Sequence, residues 1–159
     1  MMQITQVDFN NPQQARDWLF LLNAYALDPM GGGKPLSDFA RENLCERIKS
    51  RQDFVSFIAY QKNEPVGLIN AVEGFSTFNA RPLMNVHDVV VMPQARNTGL
   101  SQLLLSEIAG YARAKDCCKL TLEVLSGNHS AKRAYQKFGF IAYELDPAVG
   151  QAEFLECAL

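Results

Sequence analysis

The stretch from residue 83 to residue 115 changes its hydrophobic period once, and that change constrains the fold more than any other feature of the chain. Residues 83–92 are rich in β-branched and apolar side chains around Val89-Val90-Val91 and read as a strand that Pro93 closes. Residues 99–115 then place Leu100, Leu103, Leu104, Ile108 and Tyr111 with Ala112 on one helical face. A strand that runs through a short turn into an amphipathic helix calls for a sheet with helices packed on its faces.

The remaining elements agree. Residues 3–9 alternate loosely as an edge strand. Asn11-Pro12 opens a helix that ends before Pro29, with Leu19, Leu22, Tyr25 and Ala26 at helical spacing and Trp18 on a neighbouring stripe. Ser37 caps a second helix through Phe39, Leu44 and Ile48. Residues 54–60 and 66–75 form a hairpin about a turn at 61–65. After the central helix, residues 119–125 read as a strand, 130–138 as a short helix closed by Gly139, and 140–145 and 153–158 as further strands. The expectation is one α/β (α+β) domain over residues 1–159. Its centre is a mixed, mostly antiparallel twisted sheet of six to seven strands, flanked by about four helices.

Composition narrows the function classes. Of 159 residues, 48% are hydrophobic and 20% charged, too apolar and too balanced for disorder. Runs such as Val89-Val90-Val91-Met92 fall far short of the about 18 apolar residues that span a bilayer. A formal charge of −2 disfavours a basic nucleic-acid footprint. The first residues show no basic segment followed by an apolar core, so no signal peptide is expected. Cys45, Cys117, Cys118 and Cys157 lack Cys-x-x-Cys spacing, which points to reduced thiols in a cytoplasm and to no metal site.

The segment between strand and helix carries the chemistry. A helix N-terminus with unpaired N–H groups attracts anions. Gly99 lets a phosphate approach the backbone, Asn97 tolerates turn geometry and Arg96 adds charge. Taken alone, the segment is equally an ordinary tight strand-to-helix connection. A second cluster follows in Asn128, Ala131, Tyr135, Gly139 and Phe140. The first set, Val91, Pro93, Arg96, Gly99 and Ser101, is similar to the V-x-P-x-x-[QR]-x-x-G-x-[GA] pattern of the GCN5-related N-acetyltransferases, the GNAT family. The second resembles that family's N-x-x-A-x-x-x-Y-x-x-x-G-F signature. Order and separation fit, over roughly residues 86–143. Two departures bear on cofactor affinity: Ser101 stands where the family has Gly or Ala, and Asn97-Thr98 where it has Gly and a basic residue.

The resemblance implies acetyl-coenzyme A as cosubstrate, its pantetheine arm paired with the backbone of Val89 and Val91 like an added strand. Its pyrophosphate would meet Arg96 and the N–H groups of Asn97, Thr98, Gly99, Leu100, Ser101 and Gln102, with Asn128 and Ala131 on the pantetheine side. A strand N–H near Val89 or Val90 would polarise the thioester carbonyl. Tyr135 holds the family's acid position, and a phenol near pKa 10 stays protonated to supply a departing thiolate. His87 matches the family's Glu position and simple alternation puts it on one face with Val89 and Val91; Asp88, Glu123 or an ordered water are the other candidate bases.

The implied reaction is direct acetyl transfer to a primary amine, with a small amine or polyamine as the expected acceptor and Asp28, Glu73, Asp88 and Glu123 as candidate partners for its charge. A protein N-terminus or lysine, or a non-catalytic acyl-CoA sensor, are the competing readings. A homodimer is also within the family's pattern, with residues 153–158 at such an interface. Gly31-Gly32-Gly33-Lys34 is no phosphate loop: it lacks the GxxxxGK[ST] spacing, and Pro35 stands where a Ser or Thr would bind magnesium. It reads as a mobile loop beside the acceptor. Residues 73–78 read as core and turn or as a wall of the acceptor pocket.

Overall fold

In the computed structural model of the protein, residues 2–159 are described. The chain divides into two compact units, Met1–Leu122 and Glu123–Leu159.

The first unit is a five-stranded sheet in the order β1-β2-β3-β4-β5 with three helices. The strands are β1 (Met2–Gln6), β2 (Phe54–Gln61), β3 (Glu64–Ser76), β4 (Arg81–Val91) and β5 (Leu120–Leu122). Neighbours run antiparallel except β4 and β5, which are parallel. The β2–β3 hairpin turns through Lys62 (φ 53°) and Asn63 (φ 66°). Two consecutive positive φ values give a turn whose twist matches that of the flanking strands.

The helices of this unit are α1 (Pro12–Leu27), α2 (Asp38–Lys49) and α3 (Leu100–Ala114). Asn11 caps α1 by accepting the N–H of Gln13 at 3.0 Å, and Ser37 caps α2 by accepting that of Ala40 at 3.1 Å. One core joins Trp18 and Leu21 of α1 and Ile48 of α2 to Ile58, Leu68 and Val90 of the sheet. Trp18, expected on a side stripe of α1, is in fact at its centre. α3 packs on the opposite face with Leu100, Leu104, Leu105, Ile108, Ala109 and Ala112 buried. Leu103, expected in that stripe, is 47% exposed and Leu105 takes its place, because the buried arc centres on the 100, 104, 108 row.

α3 lies close to β3 at Gly67, where a Cβ would come within 2.8 Å of Leu100 Cδ2 and 3.2 Å of the Val90 carbonyl oxygen. That contact assigns the faces. Gly67 and Ile69, with their partners Val91 and Val89, look toward α3; Leu68 and Asn70, with Val90 and Asp88, look toward α1 and α2.

In the second unit, α4 (His129–Phe138) is the only α-helix among the described residues, capped by Asn128 and closed by Gly139 at φ 120°. Beyond it the chain forms a single short 3₁₀ turn, Pro147–Val149, and no strand. The strands expected at 140–145 and 153–158 are therefore absent, and the sheet has five strands rather than six to seven. Ile141 is 92% exposed and Phe154 75%, so their alternating apolar pattern has no sheet face to cover. A strand needs a neighbouring edge as well as a pattern.

Candidate active site

The β4 backbone is interrupted at His87. Asn70 pairs with Asp88 and Ala71 with Val86, so His87 has no partner on β3 and forms a β-bulge. The bulge resets the side-chain phase: Val86 shares a face with Val89 instead of with Val90. Simple alternation, which would group His87 with Val89 and Val91, breaks at His87 itself, and the histidine is exposed.

Beyond the bulge, Met92 donates its N–H to the Val66 carbonyl at 2.9 Å. The alternation of an antiparallel ladder then turns Asp88 and Val90 backbone groups toward β3, and those of Val89 and Val91 toward the other edge. Arg96 Nε donates to the Val91 carbonyl at 3.3 Å, as that direction requires. The parallel ladder with β5 ends at Val86 and Leu122, short of both valines.

A 3₁₀ turn, Pro93–Ala95, and two left-handed residues, Asn97 (φ 63°) and Gly99 (φ 84°), lead from this edge into α3. Thr98 Oγ1 donates to the Ala95 carbonyl at 2.7 Å, so the residue in place of the usual basic side chain braces the turn. The N–H groups of Gln102 and Leu103 close on the Gly99 carbonyl. No side chain caps α3 and no acidic residue lies in its first turn. The positive end of the helix is thereby left for an outside acceptor, beside a glycine at which a Cβ would meet nothing.

Arg96 also reaches the segment after α1. Its guanidinium lies 3.3 Å from Asp28, an exposed ion pair worth at most about 1 kcal/mol. Asp28 organises the segment after α1: its carboxylate accepts the Met30 N–H and its carbonyl accepts those of Gly31 and Gly33. The glycine run thus forms a turn built on Asp28. Gly31 packs so tightly there that a Cβ would overlap the Tyr25 carbonyl oxygen.

Tyr25 connects the two carboxylates of this face. Burial, then Asp88, then Asp28, push its phenol above the ordinary value. Of the four acidic candidates, Asp28 and Asp88 therefore share one neighbourhood. Glu73 lies elsewhere, where burial first and then its charge raise the Cys117 thiol, and Glu123 belongs to the second unit. Phe75 and Phe78 are 62% and 96% exposed.

In the second unit, Asn128 Oδ1 accepts the Ala131 N–H at 3.1 Å, which leaves the amide nitrogen pointing away from its own helix end. Tyr135 is half-buried, its ring edge-on to Phe140 at 5.9 Å. Phe140 N–H closes on the Tyr135 carbonyl, so Gly139 and Phe140 fix the turn that holds the tyrosine.

Residues 18–140 match the acetyltransferase (GNAT) family. The chain belongs to the GNAT acetyltransferase family. Relatives of this GNAT chain include the streptothricin acetyltransferase of Streptomyces lavendulae, 33% identical over 51% of this chain and 42% of that protein. The thialysine N-epsilon-acetyltransferase of Caenorhabditis elegans is 31% identical over 54% of this chain and 52% of that protein. The GNAT chain thus spans about half the length of these curated relatives. Among solved structures, the aminoglycoside acetyltransferase AAC(6')-Iy with a CoA-S-monomethyl-acetylneamine bisubstrate analog superposes with a TM-score of 0.79 at 20% identity, over 100% of this chain and 99% of that one. The soil-metagenome enzyme meta-AAC0020 with sisomicin gives 0.80 at 16% identity, over 99% and 96%. At those identities the superpositions establish the fold.

Sequence reasoning missed Trp18, Ser56 and Asn70 as parts of this region. One signal was legible: Asn70 is a lone amide inside the apolar run of residues 66–72. A polar side chain in such a run must find a buried partner.

Proposed function

We propose that this chain is an N-acetyltransferase that moves the acetyl group of acetyl-CoA to a primary amine of a small cationic molecule, with both units serving one domain in the cytoplasm. The observation that carries the reading is a stretch of β4 edge at Val89 and Val91 that no strand pairs, beside the uncapped start of α3. An amide-bearing pantetheine arm matches the first, and a pyrophosphate matches the second. The named relatives, which act on streptothricin and thialysine, supply the amine class by analogy.

In this reading the amine nitrogen attacks the thioester carbonyl carbon, the C–S bond breaks, and the thiolate leaves. Backbone N–H near Val89 or Val90 stabilises the developing oxyanion. Arg96 and the amides of Asn97, Thr98, Gly99, Leu100 and Ser101 hold the phosphates, Gln102 closing the first turn behind them, and Asn128 and Ala131 hold the pantetheine side. Tyr135 protonates the thiolate and is restored by the second proton, which the attacking nitrogen sheds as the amide forms. Asp88 is favoured over His87 for the ammonium proton, because Asp88 faces the same neighbourhood as Asp28 and Tyr25 while His87 occupies the exposed bulge. A homodimer belongs to the same proposal.

The test is a panel of diamines, aminoglycosides, amino acids and peptides with acetyl-CoA, followed by release of free thiol. Turnover with small polycationic amines supports the reading. Turnover with peptides only, or tight acetyl-CoA binding with no turnover, overturns it.

A further inference from the structure

Asp88 is held from one side by a relay of buried side chains that admits one polarity. Trp18 and Asn70 are each 1% exposed and Ser56 is 2% exposed. The Trp18 indole Nε1–H lies 2.8 Å from Asn70 Oδ1 and 3.0 Å from Ser56 Oγ. An indole nitrogen donates and does not accept, so the Asn70 amide must turn its oxygen toward Trp18. Its Nδ2 then donates to Asp88 Oδ2 at 2.9 Å. The flipped amide would set N–H against N–H at Trp18 and oxygen against oxygen at Asp88. Oδ2 is consequently fixed as an acceptor, and a proton arriving at this carboxylate goes to Oδ1.

The relay acts beside a break in the β3–β4 register. Asn70 pairs with Asp88 on the residue directly after the bulged His87. A bulge removes a ladder contact and swings the strand, so the side chain that follows needs another anchor. Trp18 from α1, Ser56 from β2 and Asn70 from β3 supply it.

We propose that Asn70, oriented by Trp18, is a positioning residue that fixes the Asp88 carboxylate so that Oδ1 meets the ammonium of a cationic acceptor. Oδ1 takes one proton from that ammonium, the neutral amine attacks the thioester, and the proton passes from Oδ1 to solvent after transfer. This rests on the acetyltransferase reading above.

The test uses the intact chain and two readouts. Trp18 is the one tryptophan of the sequence, so its indole N–H gives a single assignable NMR resonance. Asp88→Ala should shift that resonance through Asn70, whereas Glu107→Gln, on the exposed side of α3, should not. An indole resonance equally unmoved by both variants overturns the relay. In kinetics, Asn70→Leu leaves Trp18 its Ser56 acceptor and cuts the link to Asp88. It should lower kcat/KM for the amine roughly ten- to a hundredfold, the scale of a misplaced catalytic group, with KM for acetyl-CoA unchanged. In an Asp88→Ala background the same change should add nothing. Trp18→Phe should act in the same direction, less strongly. Additive losses, or a lowered Tm with kcat/KM intact, overturn the positioning role. A wild type that acetylates no amine sinks the functional reading, and the indole resonance then still decides the relay.

Discussion

Arg96 reaches back 68 residues in sequence to place its guanidinium 3.3 Å from the Asp28 carboxylate. The contact ties the strand-to-helix turn, where phosphates are expected, to the segment after α1, which lies on the acidic side of the sheet. One cation thus stands between two candidate anions, and phosphate binding must compete with Asp28 for it.

Removing either partner should shift acetyl-CoA affinity in opposite directions. Arg96→Ala should raise KM for acetyl-CoA about tenfold, the scale of one charge-assisted hydrogen bond. Asp28→Asn keeps an oxygen to accept the Met30 N–H and frees the arginine, so KM should stay level or fall. Both variants should unfold within about 1 kcal/mol of wild type, because the pair is exposed. Initial rates of thiol release and thermal melts check the two claims.

Gly99 is needed for its backbone. At φ 84° a Cβ meets no neighbour, so the cost of Gly99→Ala is conformational, about 1–2 kcal/mol. Tm should fall by a few degrees. If the start of α3 holds the phosphates, KM for acetyl-CoA should rise with little change in KM for the amine.

Gly67 is needed for its lack of volume. Gly67→Ala would press Leu100 and the Val90 carbonyl and push the start of α3 off the sheet. Overpacking of this kind costs about 1–3 kcal/mol. Denaturant midpoints and KM for acetyl-CoA should both worsen, although Gly67 is on β3, far in sequence from either motif.

Tyr135→Phe keeps the ring against Phe140 and removes the hydroxyl. Initial rates should show kcat falling by about 10²-fold or more if the phenol protonates the thiolate. Unchanged kcat across the pH range would show that another donor, or water, does so.

Alkaline stability should depend on Tyr60. Burial, and then the Asp17 carboxylate that accepts its hydroxyl at 2.9 Å, push this phenol well above its ordinary value. A raised folded-state pKa makes its stabilising share complete below the unfolded value of about 10, and that share is lost as pH climbs through the folded value. Melts from pH 8 to 11 should show a steep loss above about pH 10 that is shallower in Tyr60→Phe. At neutral pH that variant should lose roughly 1–3 kcal/mol, one hydrogen bond to a charged group.

Much of this molecule was legible locally. Asn11-Pro12 and Ser37 announced α1 and α2 because capping is a matter of a few adjacent residues. The turn at Pro93 and Gly99 announced the start of α3 for the same reason, and the pair of motifs at 91–101 and 128–140 announced the family. The strands expected at 140–145 and 153–158 were the main error. Their apolar alternation is real, but strand formation is settled by an available neighbour, which no local pattern reveals.

The candidate site shows the same division between local and distant causes. That Asp88, His87, Val89, Val91 and Arg96 belong to one short stretch follows from chain order alone. That a bulge exposes His87 and turns Asp88 toward Trp18, and that Arg96 leans on Asp28, depends on partners between 18 and 70 residues away. Sequence by itself determined the helices, their caps, the strands up to residue 122 and the two family motifs, since these rest on short-range sterics and hydrogen bonding. Only the tertiary structure decided which carboxylate is held and by what, because a one-residue slip in β4 inverts every side chain beyond it.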